Sequence, residues 1–164
     1  ARASRPMRQS QNSTHSSINA GFIRKVPVSI GGTSWKPDIP IESQIKEEVA
    51  NVLSVEEPTD RAITLMLYLM RKQMFLDGNK RTAMLAGNQI MIANGCGVLS
   101  VPIEIQPEFT KMLVEYYETG EMDSLKDFVY ENCIDGIDFR QNEALCDGQE
   151  QDPSDGGDFL TMTM

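Results

Sequence analysis

Between residues 41 and 132 the apolar positions recur at helical spacing, and the chain reads as a mainly α protein built as a helical bundle. After Pro40, the residues Ile41, Ile45, Val49, Val52 and Leu53 fall near one face of 41–53 with Glu and Lys elsewhere, which predicts an amphipathic helix. Pro58, Thr59 and Asp60 offer a second helix start, and 62–70 is apolar almost all round, as befits a helix at the centre of a bundle. A third helix is predicted over 79–93, with Ala83, Ala86, Ile90 and Ala93 on one side and Asn94-Gly95 as the stop. The stretch 98–105 is short, β-branched and interrupted by Pro102, so it reads as a connector or a single extended piece. Two last helices follow at 107–118 and 122–132, separated by Thr119 and Gly120.

The segment 21–40 breaks the helical pattern. Gly31-Gly32 stands between Phe22-Ile23-Arg24-Lys25-Val26-Pro27-Val28-Ser29-Ile30 and Thr33-Ser34-Trp35, which predicts a small β-hairpin. It can act as a structural cover over one end of the bundle, with Trp35 on a core edge. It can also offer a strand edge to an extended partner by β-augmentation, with Ile30, Gly31, Gly32, Thr33, Ser34 and Trp35 as the target-binding flap. The two readings are compatible.

Composition narrows the function. With 164 residues, 40% of them hydrophobic, the chain can bury one core of ordinary size. A formal net charge of -9 argues against broad binding to nucleic acid or to an anionic membrane, and neither is expected as a partner. Cys96, Cys133 and Cys146 are widely spaced and only one histidine is present, so neither a disulfide framework nor a zinc site is predicted. No stretch approaches the length of a membrane span, and a cytoplasmic protein with reduced thiols is expected. Residues 1–20, with Arg2, Arg5 and Arg8 and no acid, read as a flexible basic segment; 140–164 reads as an acidic tail, expected to be disordered.

The candidate chemistry lies in Gln73-Met74-Phe75-Leu76-Asp77-Gly78-Asn79-Lys80-Arg81-Thr82-Ala83. A carboxylate, a glycine turn, an amide and two cations precede a predicted helix. Asp77 can offer oxygen to a hard cation, Gly78 lets the backbone approach an anion, and the first N–H groups of the helix point at it. A metal-bound phosphate fits this arrangement.

From Phe75 to Arg81 the sequence resembles the signature of the Fic family (filamentation induced by cyclic AMP), His-x-Phe-x-Asp/Glu-Gly-Asn followed by Gly or Lys and then Arg. Its Asn-Lys-Arg-Thr-Ala ending is most similar to the Doc-type branch. The resemblance spans roughly 21–139, a Fic domain in which flap, buried helix, motif loop and following helix occur in order. It implies transfer of AMP, or another phosphate-containing group, from a nucleotide to a Ser, Thr or Tyr hydroxyl of a target protein. Position by position, it implies that Asp77 ligates Mg²⁺, that Gly78, Asn79 and Lys80 hold the phosphates of ATP, and that Arg81 neutralises their charge. Phe75 is expected to plug the core and anchor the loop.

Three departures bear on activity. The family's catalytic histidine falls on Gln73, which cannot titrate near neutral pH; His15, the one histidine, lies far off in the polar start. Lys80 replaces the glycine of many AMP-transferring members, and Met84 replaces a second arginine, both in the Doc-like manner, for which phosphate transfer is the implied activity. Gln73 is either an engineered replacement or native, and its two unusual neighbours favour a native residue. A catalytically silent binder of nucleotide or protein remains the alternative. No convincing inhibitory Ser/Thr-x-x-x-Glu-Gly/Asn helix is present, since Ser43 to Glu48 ends in Glu; an antitoxin or an upstream inhibitory segment is the expected regulator.

Overall fold

A computed structural model describes residues 21–136, and the expectations for the basic start, for His15 and for the acidic tail lie outside them. Over the described residues the fold is mostly helical, with one two-stranded antiparallel sheet: α1 (Glu42–Leu53), α2 (Pro58–Lys72), α3 (Asn79–Ala93), β1 (Val98–Leu99), α4 (Gln106–Thr119), α5 (Asp123–Asn132) and β2 (Ile134–Asp135). Each predicted helix is present within two residues of its expected ends at the positions where the apolar pattern changes. The stretch predicted as a connector supplies β1, paired Val98 to Asp135 and Leu99 to Ile134.

The core forms around α2. Ala62, Ile63, Leu65, Met66, Leu67, Leu69 and Met70 are all buried, which explains its apolar character on every side. Each large side chain among them stabilises the fold by about 1.5–3 kcal/mol on burial. α3 approaches α2 with small residues: Ala83 is fully buried, and a Cβ on Gly87 would lie 3.1 Å from the Ala62 carbonyl oxygen and 3.2 Å from Met66 Cβ. This close approach fixes the start of α3 relative to the end of α2. α4 closes the core with Phe109, Leu113, Tyr116 and Tyr117, and α5 with Leu125 and Val129. Lys126 of α5 forms an ion pair with Asp60 in the first turn of α2. β1 is tied to α3 by Asn88, whose side chain accepts from Leu99 N at 2.6 Å and donates to Leu99 O at 2.9 Å.

The predicted hairpin is corrected by the structure. Residues 21–40 contain a turn at Gly31-Gly32 but no strand. Pro27, Pro37 and Pro40 lack the N–H groups that a ladder needs. The two arms are joined instead by one side chain: Arg24 donates through Nη1 to Val26 O at 2.9 Å and through Nη2 to Asp38 O at 2.5 Å. Trp35 packs on the core edge, its ring stacked 5.8 Å from that of Tyr117 and covered by the Arg71 guanidinium at 4.8 Å.

Candidate functional site

The site begins where α2 stops. Gln73 is its C-cap, in the left-handed conformation at φ 47° and ψ 58°, the one non-glycine residue with positive φ among those described. Its Nε2 donates to Met70 O at 2.6 Å, satisfying a carbonyl that the helix end leaves open. Its Oε1 accepts from Asn79 Nδ2 at 3.1 Å. Both ends of the amide are therefore engaged in holding the loop.

Asn79 closes that loop. Its Oδ1 accepts from Phe75 N at 2.8 Å while its Nδ2 donates to Phe75 O at 2.8 Å. The side chain thus shapes the turn, and the group it leaves to a phosphate is its backbone N–H. Phe75 is half-buried, and the loop side chain packed on the central core is Met74. Where the ring of Phe75 was expected to anchor the loop, its backbone does so through Asn79.

The turn then reverses through Gly78, at φ 79°, into the first residue of α3. Asp77 Oδ1 accepts the Gly78 N–H at 2.6 Å, and Asp77 Oδ2 faces Arg81 Nη2 at 3.6 Å. The first helical bond runs from Thr82 N to Gly78 O at 2.9 Å. No side chain caps α3 and no acid occupies its first turn, where Lys80 and Arg81 stand. Backbone N–H groups and two cations consequently converge on one end of a helix with its positive dipole, a place that favours an anion.

A cleft of about 380 Å³ opens over this end, lined by Ser29, Ile30 and Gly31 on one side and by Gln73 with residues 76–81 on the other. Of the predicted flap, Ile30 and Gly31 face the start of α3 across this cleft. Gly32, Thr33, Ser34 and Trp35 do not line it; Thr33 Oγ1 donates to Glu118 at 2.6 Å and accepts the Trp35 N–H at 3.0 Å. A larger hollow of about 630 Å³ adjoins Leu76, lined by residues 21–26 and Glu42, and carries no phosphate-binding turn.

The donor set fits magnesium rather than a caged metal. Among the described residues no three His, Cys, Asp or Glu side chains gather. Mg²⁺ is commonly held by one or two carboxylates with waters and substrate phosphates, and Asp77, 89% exposed, offers one carboxylate with its Oδ2 only loosely faced by Arg81.

A replacement base for the motif histidine is not evident among the described residues. Tyr117 Oη is buried near the Gln73 side chain, which offsets the effect of burial only slightly, and it meets no hydrogen-bond partner of good geometry among the described residues. Burial raises its pKa above the ordinary tyrosine value, the wrong direction for accepting a proton at neutral pH. Tyr116 is likewise pushed up to about 12 by burial, against the opposing charge of Arg71.

One residue escaped the sequence reading. Arg24 is 3% exposed, yet in the sequence it stands beside Lys25 with nothing to distinguish the two cations. Its Nε donates to Gln73 O at 2.6 Å, and its backbone N–H to Met74 O at 2.9 Å.

No curated protein compared with this chain matches it. The sequence model of one family, described as Fic/DOC family, matches residues 7–91, a span that includes the extended segment, α1, α2, the motif loop and most of α3.

Proposed function

Because the chain belongs to the Fic/DOC family, we propose that it holds ATP with Mg²⁺ at the start of α3 and transfers AMP, or another phosphate-containing group, to a Ser, Thr or Tyr hydroxyl of a target protein, slowly because position 73 is glutamine. The observation that carries the reading is the helix start itself. Lys80 and Arg81 stand against the positive end of the α3 dipole with no side-chain cap and no acid in the first turn, and the neighbouring Asp77 faces Arg81 only loosely, at 3.6 Å. A triphosphate supplies the missing negative charge.

The roles follow from the geometry. Backbone N–H groups of the first turn of α3 bind phosphate oxygens, and Arg81 turns from its 3.6 Å contact with Asp77 to the phosphates. Asp77 would hold Mg²⁺, and the metal would supply positive charge against that developing on the phosphates. Ser29, Ile30 and Gly31 form the opposite wall, and among the described residues their backbone groups make no bond to other backbone. That bare stretch can pair with an extended target segment and bring its hydroxyl to the nest. Gln73 stands at the motif position of the proton acceptor and cannot take the hydroxyl proton, which passes to water as pyrophosphate leaves in AMP transfer or ADP leaves in phosphate transfer; this lowers the rate by about 10² to 10⁴-fold relative to a histidine.

A second reading, a silent nucleotide or protein binder, draws support from Gln73, whose amide is already engaged at both ends. Incubation of the chain and of Gln73→His with α- and γ-labelled ATP in a cell extract separates the two. Label from the α position on a protein indicates AMP transfer, and label from the γ position alone indicates phosphate transfer. Activity that appears only in Gln73→His indicates a silent native module. If neither protein transfers label and neither binds ATP with Mg²⁺ in a calorimetric titration, the proposal fails.

A further inference from the structure

We infer that Arg24 is the positioning residue of the site: its buried guanidinium holds Gln73 in the left-handed conformation and sets the 29–31 wall at its distance from the nest. Arg24 is the one buried charged residue among those described, at 3% exposure. Its hydrogen bonds all go to carbonyl oxygens, and the Asp38 carboxylate adds Coulombic attraction without forming a close ion pair. Nε donates to Gln73 O at 2.6 Å, Nη1 to Val26 O at 2.9 Å, and Nη2 to Asp38 O at 2.5 Å and Pro37 O at 3.4 Å. The backbone N–H of the same residue donates to Met74 O at 2.9 Å.

These bonds join three pieces of chain that no strand pairing connects: the arm before the Gly31-Gly32 turn, the arm after it, and the corner between α2 and the motif loop. A glutamine has little intrinsic reason to adopt a φ of 47°, a region that favours glycine and, less strongly, asparagine, aspartate and histidine. Two opposed contacts keep it there. The side chain is pulled back onto Met70 O, and the carbonyl is drawn to the Arg24 Nε. If the carbonyl swings, Asn79 loses its bond to Gln73 Oε1 and the nest loses its support from α2. The planar fork is essential to this role. A lysine supplies donors from a single point and cannot reach Gln73, Val26 and Asp38 together.

The test uses the full chain and Arg24→Lys, which keeps the charge and removes the fork. In the unaltered chain, Gln73 should give the strong intraresidue HN–Hα Overhauser effect of a positive φ, and the Arg24 Hε proton should exchange slowly with water. In Arg24→Lys the Gln73 effect should weaken, and amide resonances of 29–31 and 73–79 should shift while those of α5 stay in place. A variant that keeps the Gln73 signature and those resonances overturns the inference. Should Arg24→Lys not fold, rapid exchange of Hε in the unaltered chain overturns it instead. The last arm rests on the nucleotide reading above: affinity for ATP with Mg²⁺ should fall roughly tenfold in Arg24→Lys, because displaced donors bind an anion poorly. If the unaltered chain binds no nucleotide, that reading fails, and the Gln73 signature still decides the role of Arg24.

Discussion

The starts of α2 and α3 are built on opposite principles. At α2, Glu57 is the N-cap and its carboxylate accepts the Asp60 N–H at 2.5 Å; Pro58 opens the helix and Asp60 adds an acid to the first turn. α1, α4 and α5 also place an acid there, Glu42, Glu108 and Asp123. α3 alone has none, and carries Lys80 and Arg81 behind an uncapped glycine. The α2 start is electrostatically complete within the chain. Under the proposed function an anion from outside completes the α3 start, and a local rule broken at one of the five described helices is what that reading explains.

The largest expected effect comes from the residue that shapes the α3 start. Asn79→Ala removes both bonds to Phe75 and the bond to Gln73, so the loop loses its closure. Urea unfolding should report a loss of about 2–3 kcal/mol, since three hydrogen bonds go and the Phe75 backbone is left partly unpaired. Calorimetry should show ATP affinity reduced by about a hundredfold or more, the scale expected when a preorganised anion nest is displaced. An Asn79→Ala protein that binds ATP as well as the parent would mean that the loop does not shape the nest.

A smaller effect of opposite sign sharpens the comparison. Lys80→Glu gives α3 the acidic first turn that the other helices already have. In the absence of ligand the variant should be more stable by about 0.3–1 kcal/mol, because the new carboxylate complements the dipole. It should also bind ATP about tenfold less well, through repulsion of the phosphates at the same point. Thermal melts with and without nucleotide measure both numbers. If Lys80→Glu melts below the parent without nucleotide, the α3 start is not the unfavourable end that its charges indicate.

The sequence made the helices legible because each buries a face whose period survives in the residue order, and α2 betrays its central place by being apolar all round. The turn at the α3 start was legible for a related reason: Asp77, Gly78, Asn79, Lys80 and Arg81 lie within one turn, so sequence spacing is nearly spatial spacing. What the sequence hid is long-range. Arg24 meets Gln73 across 49 positions, and its neighbour Lys25 is exposed although both are cations on the same stretch. The predicted hairpin failed for a similar reason. β-branched residues around Gly31-Gly32 suggested pairing, but three prolines weaken the ladder and a buried guanidinium takes over the carbonyls. The motif implies a phosphate-holding role for Asn79, and the closure of its side chain on Phe75 depends on the folded turn.

The smallest effect tests the α2 side of the comparison through pH. The pKa of Glu57 is lowered, first because its carboxylate accepts the Asp60 N–H. In the unfolded chain the same group titrates near its ordinary value of about 4.3, so as pH falls the unfolded state takes up the proton first. The stabilisation is therefore fully present above that value and is lost as pH falls through the lower, folded pKa. Glu57→Gln removes this dependence, and the parent's advantage over the variant should shrink from about pH 5 downward. The advantage at neutral pH should stay below about 1 kcal/mol, because Glu57 is exposed and solvent screens it. ATP affinity should not change in Glu57→Gln, since Glu57 does not line the cleft over the α3 start. A parallel urea series for both proteins between pH 3 and pH 7 reads the difference directly. If it stays constant down to pH 3, Glu57 does not cap α2 as a carboxylate, and the contrast with α3 rests on Pro58 and Asp60 alone.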